Sequence, residues 1–178
     1  MLKGDRAGRD TAHPVIIVEY DPQWPVLYRK EKIRILETVG PKIFAIEHIG
    51  STAVEGLGAK PIIDMMAGVH GLSDADECPP QLKKIGYIDI TPQPDNLEWY
   101  YCLGRGPHSP GYHLHLVKFE STHWRKHLLF RDFLQTHPEV AQEYYELKKR
   151  LASEYRYDRV GYTNAKTLFT ESVTSHIS

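Results

Sequence analysis

Glu47-His48-Ile49-Gly50-Ser51-Thr52-Ala53-Val54-Glu55-Gly56-Leu57-Gly58-Ala59-Lys60-Pro61-Ile62-Ile63-Asp64 holds the most informative pattern in the chain. Lys42 to Ile49 alternates as a strand that delivers its end into the Gly50-Ser51 turn. Glu55 to Lys60 is too glycine-rich for a stable element. Pro61 to Val69 is apolar on both faces apart from Asp64, the pattern of a buried central strand. A strand end, a Gly-Ser turn and a buried strand with one carboxylate make a place where backbone N–H groups and a hydroxyl can hold phosphate near a metal-binding acid. Gly56 and Lys60 do not stand at Walker A spacing, so a P-loop is excluded.

Upstream, Val15 to Val18 reads as a short strand, and Asp21-Pro22 as an N-cap with proline at the first helical position of a helix that runs to about Val39. Gly40-Pro41 stops that helix. Downstream, Pro79-Pro80 opens a short helix reaching Ile85, and Tyr87 to Ile90 and Leu97 to Leu103 are strands. Gly104 to Gly111 is a mobile loop by composition. Tyr112 to Phe119 is a clearly alternating strand, and the chain is helical in pattern from Thr122 onward, with Pro138 starting a second helix. Mixed strands first and helices last, without repeated βαβ units, predict an α+β fold with one mixed β-sheet covered by helices. Residues 1–12 read as a frayed segment and 13–178 as a single domain.

The 178 residues, 41% hydrophobic, 25% charged and 11% aromatic, have the balance of a folded globular protein. Lysine and arginine total 22 against 23 acidic residues, so no global field draws a polyanion, and nucleic acid is not the expected partner. The basic cluster Lys148-Lys149-Arg150 follows Glu143 and Glu146 and reads as a solvated helix face. Two cysteines, Cys78 and Cys102, without a C-x-x-C pair, indicate neither a disulfide framework nor a thiolate metal site. With no apolar leader and no spanning segment, a cytoplasmic location is expected, with no membrane contact. No organic cofactor is indicated.

Read whole, the segment around Gly50 resembles the GrpB family. The resemblance continues through His113-Leu114-His115-Leu116, Trp124, Phe130-Arg131-Asp132-Phe133-Leu134, Pro138, Tyr144, Leu147-Lys148 and Tyr162 with Lys166, and it covers nearly everything after residue 14. It implies the nucleotidyltransferase-like fold, in which a Gly-Ser turn grips nucleotide phosphates and an acidic strand holds a divalent metal. Gly50, Ser51 and Asp64 match those roles, with Asp64 and Ser51 as the catalytic candidates. Arg131 and Lys166 match the pattern as anion contacts for a nucleotide or other phosphorylated small molecule, and Lys60 beside Asp64 joins them. Arg105 ranks below these. The family also resembles a region fused to dephospho-CoA kinase in some bacteria, which points toward nucleotide or coenzyme metabolism.

One position departs from the fold's habit. A second carboxylate two residues along a strand shares the face of the first and completes a Mg²⁺ site, but here that position is Met66, a poor ligand for a hard cation. His113 and His115 project from one strand face and can supply nitrogen donors to a mixed site with Asp64, favouring Mn²⁺ or Zn²⁺ over Mg²⁺. A hydrogen-bonded histidine pair on a half-exposed sheet is the alternative, as is an Asp64 that only binds the turn. His48 shares a strand face with Phe44 and Ile46 and is read at the mouth of the site, or else as a core histidine; Glu47 faces the other way. His123 and His127 have no intervening glutamate for a zincin and read as helix-surface residues. Trp124, Leu128 and Phe133, like Tyr144, Leu147 and Leu151, are core stripes. The function expected is metal-dependent nucleotidyl or phosphoryl transfer. Its alternatives are a non-catalytic nucleotide- or partner-binding module that has lost an acidic ligand, and phosphoester hydrolysis at a His/Asp metal centre.

Overall fold

A computed structural model of the protein describes residues 13–91, 97–106 and 111–177. The elements run α1 (Trp24–Val39), β1 (Ala45–Ile49), β2 (Ile62–Val69), α2 (Leu72–Leu82), β3 (Ile88–Asp89), β4 (Trp99–Arg105), β5 (Gly111–Lys118), α3 (Thr122–Thr136), α4 (Pro138–Glu154) and α5 (Arg159–Ile177). The strands form one sheet in the order β1-β2-β5-β4-β3. Only β2 and β5 pair in parallel; the other neighbours are antiparallel. This is the α+β architecture with a mixed, helix-covered sheet that the element order predicts.

The pleat sorts side chains strictly between two faces. On one face Ile46, Ile63, Met65, Leu114 and Leu116 join Trp24 and Ile35 of α1 and Ala75, Cys78 and Leu82 of α2 in the main core. On the other, Ile49, Met66 and Val117 lie under Trp124 of α3. Beyond the sheet end, Phe130, Leu134, Ala141, Tyr144 and Val173 of α3, α4 and α5 close over Val54 and Leu57. The glycine-rich stretch is thereby roofed by the C-terminal helices.

Several local expectations need correction. Only Val18 of the first expected strand bridges, to Ala59. Helix α1 starts at Trp24 rather than at Pro22, because Asp21 turns the chain first: its carboxylate accepts from the Gln23 N–H at 2.8 Å and its carbonyl from the Trp24 N–H at 3.0 Å. Pro25 then occupies the first turn. Pro79 and Pro80 lie inside α2 instead of opening it, since Ala75, Cys78 and Leu82 hold a buried helical stripe that spans both prolines. The expected mobile loop is strand to Arg105, and its residues 107–110 fall outside the described part, as does the frayed segment 1–12. No described helix is long and apolar enough to cross a membrane.

Met66 is fully buried, packed with Ile49, Val117 and Trp124. The position where a second metal-binding carboxylate would stand is therefore part of a core, which explains the apolar residue. Met66→Asp is expected to lower the unfolding free energy by about 3–5 kcal/mol, the scale of an uncompensated buried charge. Urea denaturation of the variant against wild type measures it, and a near-neutral substitution would show that α3 does not seal this face.

Candidate functional site

Parallel pairing of β2 with β5 makes Asp64 and His113 direct neighbours. The His113 Nδ1 stands 3.3 Å from Asp64 Oδ1. Hydrogen bonding and charge from His113 outweigh burial and hold the Asp64 carboxyl at about 2, so it is ionised at neutral pH. Ile49, the partner of Asp64 on its other side, ends β1. The chain then turns through Gly50 with φ of 70°, and a Cβ there would meet Asp64 Oδ2 at 3.1 Å. Glycine is demanded twice at this position, by the backbone angle and by the approaching carboxylate.

Ser51 begins a short 3₁₀ turn whose N–H groups at Ala53 and Val54 are spent on the carbonyls of Gly50 and Ser51. Next to the turn opens a cavity of about 100 Å³, lined by Gly50, Ser51, Asp64 and, from farther along the chain, Lys60, Lys148 and Lys166. Tyr144 and Tyr162 form its wall. The Tyr144 hydroxyl bonds with Ser51 and Thr170, and burial raises it to about 12, so it stays protonated. The Tyr162 ring lies 5.3 Å below the Lys60 ammonium and 4.6 Å below that of Lys166.

Lys148 is the residue the sequence reading misplaced. Far from being solvated, it is 2% exposed and donates to the Gly58 carbonyl at 2.5 Å. Gly58 can have no side chain, because a Cβ would stand 2.4 Å from the Tyr145 ring. Its helix does carry a signal: Ala141, Tyr144, Lys148 and Leu151 form one buried stripe, with the lysine in its middle. Burial, aided by repulsion from Lys166 and Lys60, lowers Lys148 to about 7. Burial and Lys60 lower Lys166 to about 8, although Asp64 opposes the shift. Three ammonium groups around one carboxylate repel one another in a poorly solvated space. An anion entering the cavity relieves that repulsion.

Other candidates fall elsewhere. His48 is not at the mouth of the site but on the opposite sheet face, stacked 4.7 Å from Tyr28, with Nε2 3.0 Å from Thr52 Oγ1; burial depresses it to about 4. Its alternation with Glu47 follows from an unbulged β1 paired to β2. Glu47 faces α3 and takes Arg131 at 2.8 Å, while the same guanidinium reaches the His48 carbonyl at 3.1 Å and Asp132 at 2.7 Å. Gln135, one helical turn later, donates to the Ala53 carbonyl at 3.0 Å. Arg131 thus stands outside the cavity lining and clamps the turn to α3. Arg105 is on the far face in a bidentate pair with buried Glu31, at 2.9 and 2.6 Å.

His115 shares the face of His113 and packs against β4, with Nε2 3.9 Å from Cys102 Sγ and its ring 5.9 Å from Trp99. Burial pushes it down to about 3, so it is neutral. His123 and His127, expected on the helix surface, lie 4.4 Å apart with tilted rings, His127 near His115 and His123 stacked on Trp99. Among the described residues no three histidine, cysteine, aspartate or glutamate side chains form a group able to hold a metal ion. Asp64 and His113 make a pair, and His115 does not complete it. The residues present do not by themselves fit a protein-built metal centre.

Comparison with known proteins follows the same lines. The family model described as GrpB protein matches residues 14–176. The chain is 35% identical over 166 residues to the glutamate-rich protein GrpB of Alkalihalophilus pseudofirmus, covering 92% of this chain and 95% of that one. A crystal structure of conserved protein GrpB from Enterococcus faecalis superposes with a TM-score of 0.79 at 30% identity, over 90% of this chain and 96% of that chain. The dephospho-CoA kinase of Mycobacterium tuberculosis is 30% identical over 158 residues, 76% of this chain but only 39% of the kinase.

The lysine cluster gives the ligand-free protein a characteristic pH dependence. Below about pH 7 Lys148 is charged in both folded and unfolded chains and its crowding cost is fully present; from about 7 toward 10.5 the unfolded chain holds more protons. Its contribution to stability therefore rises with pH over that window, and that of Lys166 rises from about 8. Denaturation midpoints compared between wild type and Lys148→Met from pH 6.5 to 10 should converge as pH rises. Parallel curves would mean that Lys148 is not held in a shifted state.

Proposed function

The chain belongs to the GrpB family, and we propose that its cavity anchors the phosphate of a nucleotide-type or other phosphorylated small molecule for nucleotidyl or phosphoryl transfer. The observation that carries this reading is the convergence of Lys60, Lys148 and Lys166 on a space shared with Ser51 and Asp64. Charge neutralisation and positioning are the main work of phosphoryl-transfer sites. Lysine ammonium groups supply the neutralisation here, as point charges that stabilise negative oxygens. Ionised Asp64, with so low a pKa, is a weak base. Its part is to accept a hydrogen bond from the attacking hydroxyl and aim it at phosphorus. A new O–P bond then forms, the donor's anhydride O–P bond breaks, the leaving phosphate takes the electron pair, and the hydroxyl proton is lost to solvent. The partial likeness to a dephospho-CoA kinase favours substrates of nucleotide or coenzyme type.

A second reading, a non-catalytic binding module, is favoured by Met66, whose burial beneath Trp124 leaves no second acid on the Asp64 strand. The enzyme and a nucleotide-binding module both require phosphate at the lysines, and turnover separates them; a partner-binding module does not. Titration calorimetry with ATP, AMP, CoA and dephospho-CoA, each with and without Mg²⁺, Mn²⁺ or Zn²⁺, should find at least one ligand. Lys166→Ala should weaken it by about tenfold or more, the loss of a charge-assisted hydrogen bond. Ser51→Ala should weaken it less and leave the fold intact. Transfer of label from the bound donor, abolished by Asp64→Asn with binding retained, supports the enzyme; binding without any transfer supports the module. If none of these ligands binds, or Lys166→Ala binds as wild type does, the anchoring reading fails.

A further inference from the structure

We infer that the cavity is built for the dianionic head of a phosphomonoester and discriminates against a singly charged phosphodiester; this rests on the phosphate-anchoring reading above. Size comes first. At about 100 Å³ the cavity is a third of the ~300 Å³ at which ordinary small-molecule pockets begin. That scale matches a phosphoryl group, with a nucleoside left outside. The bound part of the ligand is a head group, with the rest of the molecule beyond the rim.

Charge comes second. The described lining side chains contain three lysines and one carboxylate, two positive charges in excess when all four are ionised. A phosphomonoester carries about −1.5 to −2 at pH 7, which balances that excess, whereas a diester carries one charge and leaves a buried positive charge uncompensated. Burial and neighbouring lysines lower Lys148 to about 7 and Lys166 to about 8, so near neutral pH the full excess of two is reached as an anion enters: Asp64 already opposes the Lys166 shift, and a dianion opposes it further.

Geometry comes third. Lys60 enters from the loop before β2, Lys148 from α4 and Lys166 from α5, while Ser51 and Tyr144 approach from the turn and α4. The cations therefore reach the cavity from three separate elements, two of them meeting over the Tyr162 ring. A terminal phosphate offers three oxygens to these cations and needs one ester link to the outside. A diester offers two free oxygens and must route two substituents past the same side chains. The rest of the described lining, Tyr144, Tyr162 and Phe130 with Thr52, Ala59 and Ile62, is uncharged and offers no second phosphate a counter-charge.

The test uses the full chain and two small probes that differ by one methyl group, methyl phosphate and dimethyl phosphate, titrated by calorimetry and heteronuclear NMR at pH 7.5 and constant ionic strength. Methyl phosphate should bind at least about tenfold more tightly, the scale of one charge-assisted contact. Lys166→Met should erase the preference, and so should Lys60→Met, which guards against misfolding of the first variant. Both must show wild-type-like spectra away from the cavity. If both esters bind wild type with equal affinity, the monoester inference is wrong while the phosphate-anchoring reading stands. If neither ester binds, and no larger phosphorylated ligand binds either, both fall.

Discussion

The parallel pairing of β2 with β5 governs the arrangement. It is the one parallel contact in a sheet otherwise antiparallel, and it places Asp64 beside His113 and Met66 beside His115. A parallel pair needs a long crossover, which here consists of α2 and the β3-β4 ribbon. The crossover fills one face with Cys78 and Leu82 and leaves the other to the C-terminal helices. Because the pleat assigns alternate residues to opposite faces, the same register that exposes Asp64 to the cavity directs Met65 and Leu114 into the main core. The site follows from the register rather than from any mobile part.

On the cavity side, stability and binding pull against each other. Lys148 contributes its stem to the α4 stripe and its ammonium to the Gly58 carbonyl, yet its charge sits near two others of the same sign. Such a group is costly when alone and useful when an anion arrives. The opposite face handles its charge differently. Glu31 is buried but meets Arg105 in a bidentate pair and the Tyr87 hydroxyl at 2.9 Å, so every oxygen is engaged and no vacancy invites a ligand. The contrast is between a buried charge met by opposite charge and one set among charges of its own sign.

The sheet and most of the element order were legible because β1, β2 and β5 carry clean patterns with turn residues between them. Gly50, Ser51, Asp64 and Lys166 were legible as a constellation through family resemblance, and the structure gathers them around one cavity together with Lys60. Lys148 was hidden because a lysine flanked by Lys149 and Arg150 looks solvated, and only the phase of the Ala141, Tyr144 and Leu151 stripe betrays it. Of the two readings of His48, the hydrogen-bonded core histidine is the one found; strand alternation tells which residues share a face, but not which face meets the site. The histidines of α3 were misjudged for a tertiary reason: Trp99, far away in sequence, supplies the surface on which His123 stacks. Arg131 looked like an anion contact, yet its partners Glu47 and the His48 carbonyl come from a strand some eighty residues earlier, a proximity that no local pattern reveals.

The apolar lid over Met66 also limits which single substitutions the strand tolerates. A protein that exchanged an acid for methionine at an open site could regain it by one substitution. Here Ile49, Val117 and Trp124 pack around the thioether, so an acid placed there alone meets a packed apolar interior. Return to a two-acid strand would need the helix above to withdraw, its tryptophan to shrink and the acid to appear together, and each change alone is penalised. The packing therefore acts as a steric lock on one side of the strand: a carboxylate beside Asp64 is admitted only if the helix above moves, whereas the lysine side can change one residue at a time.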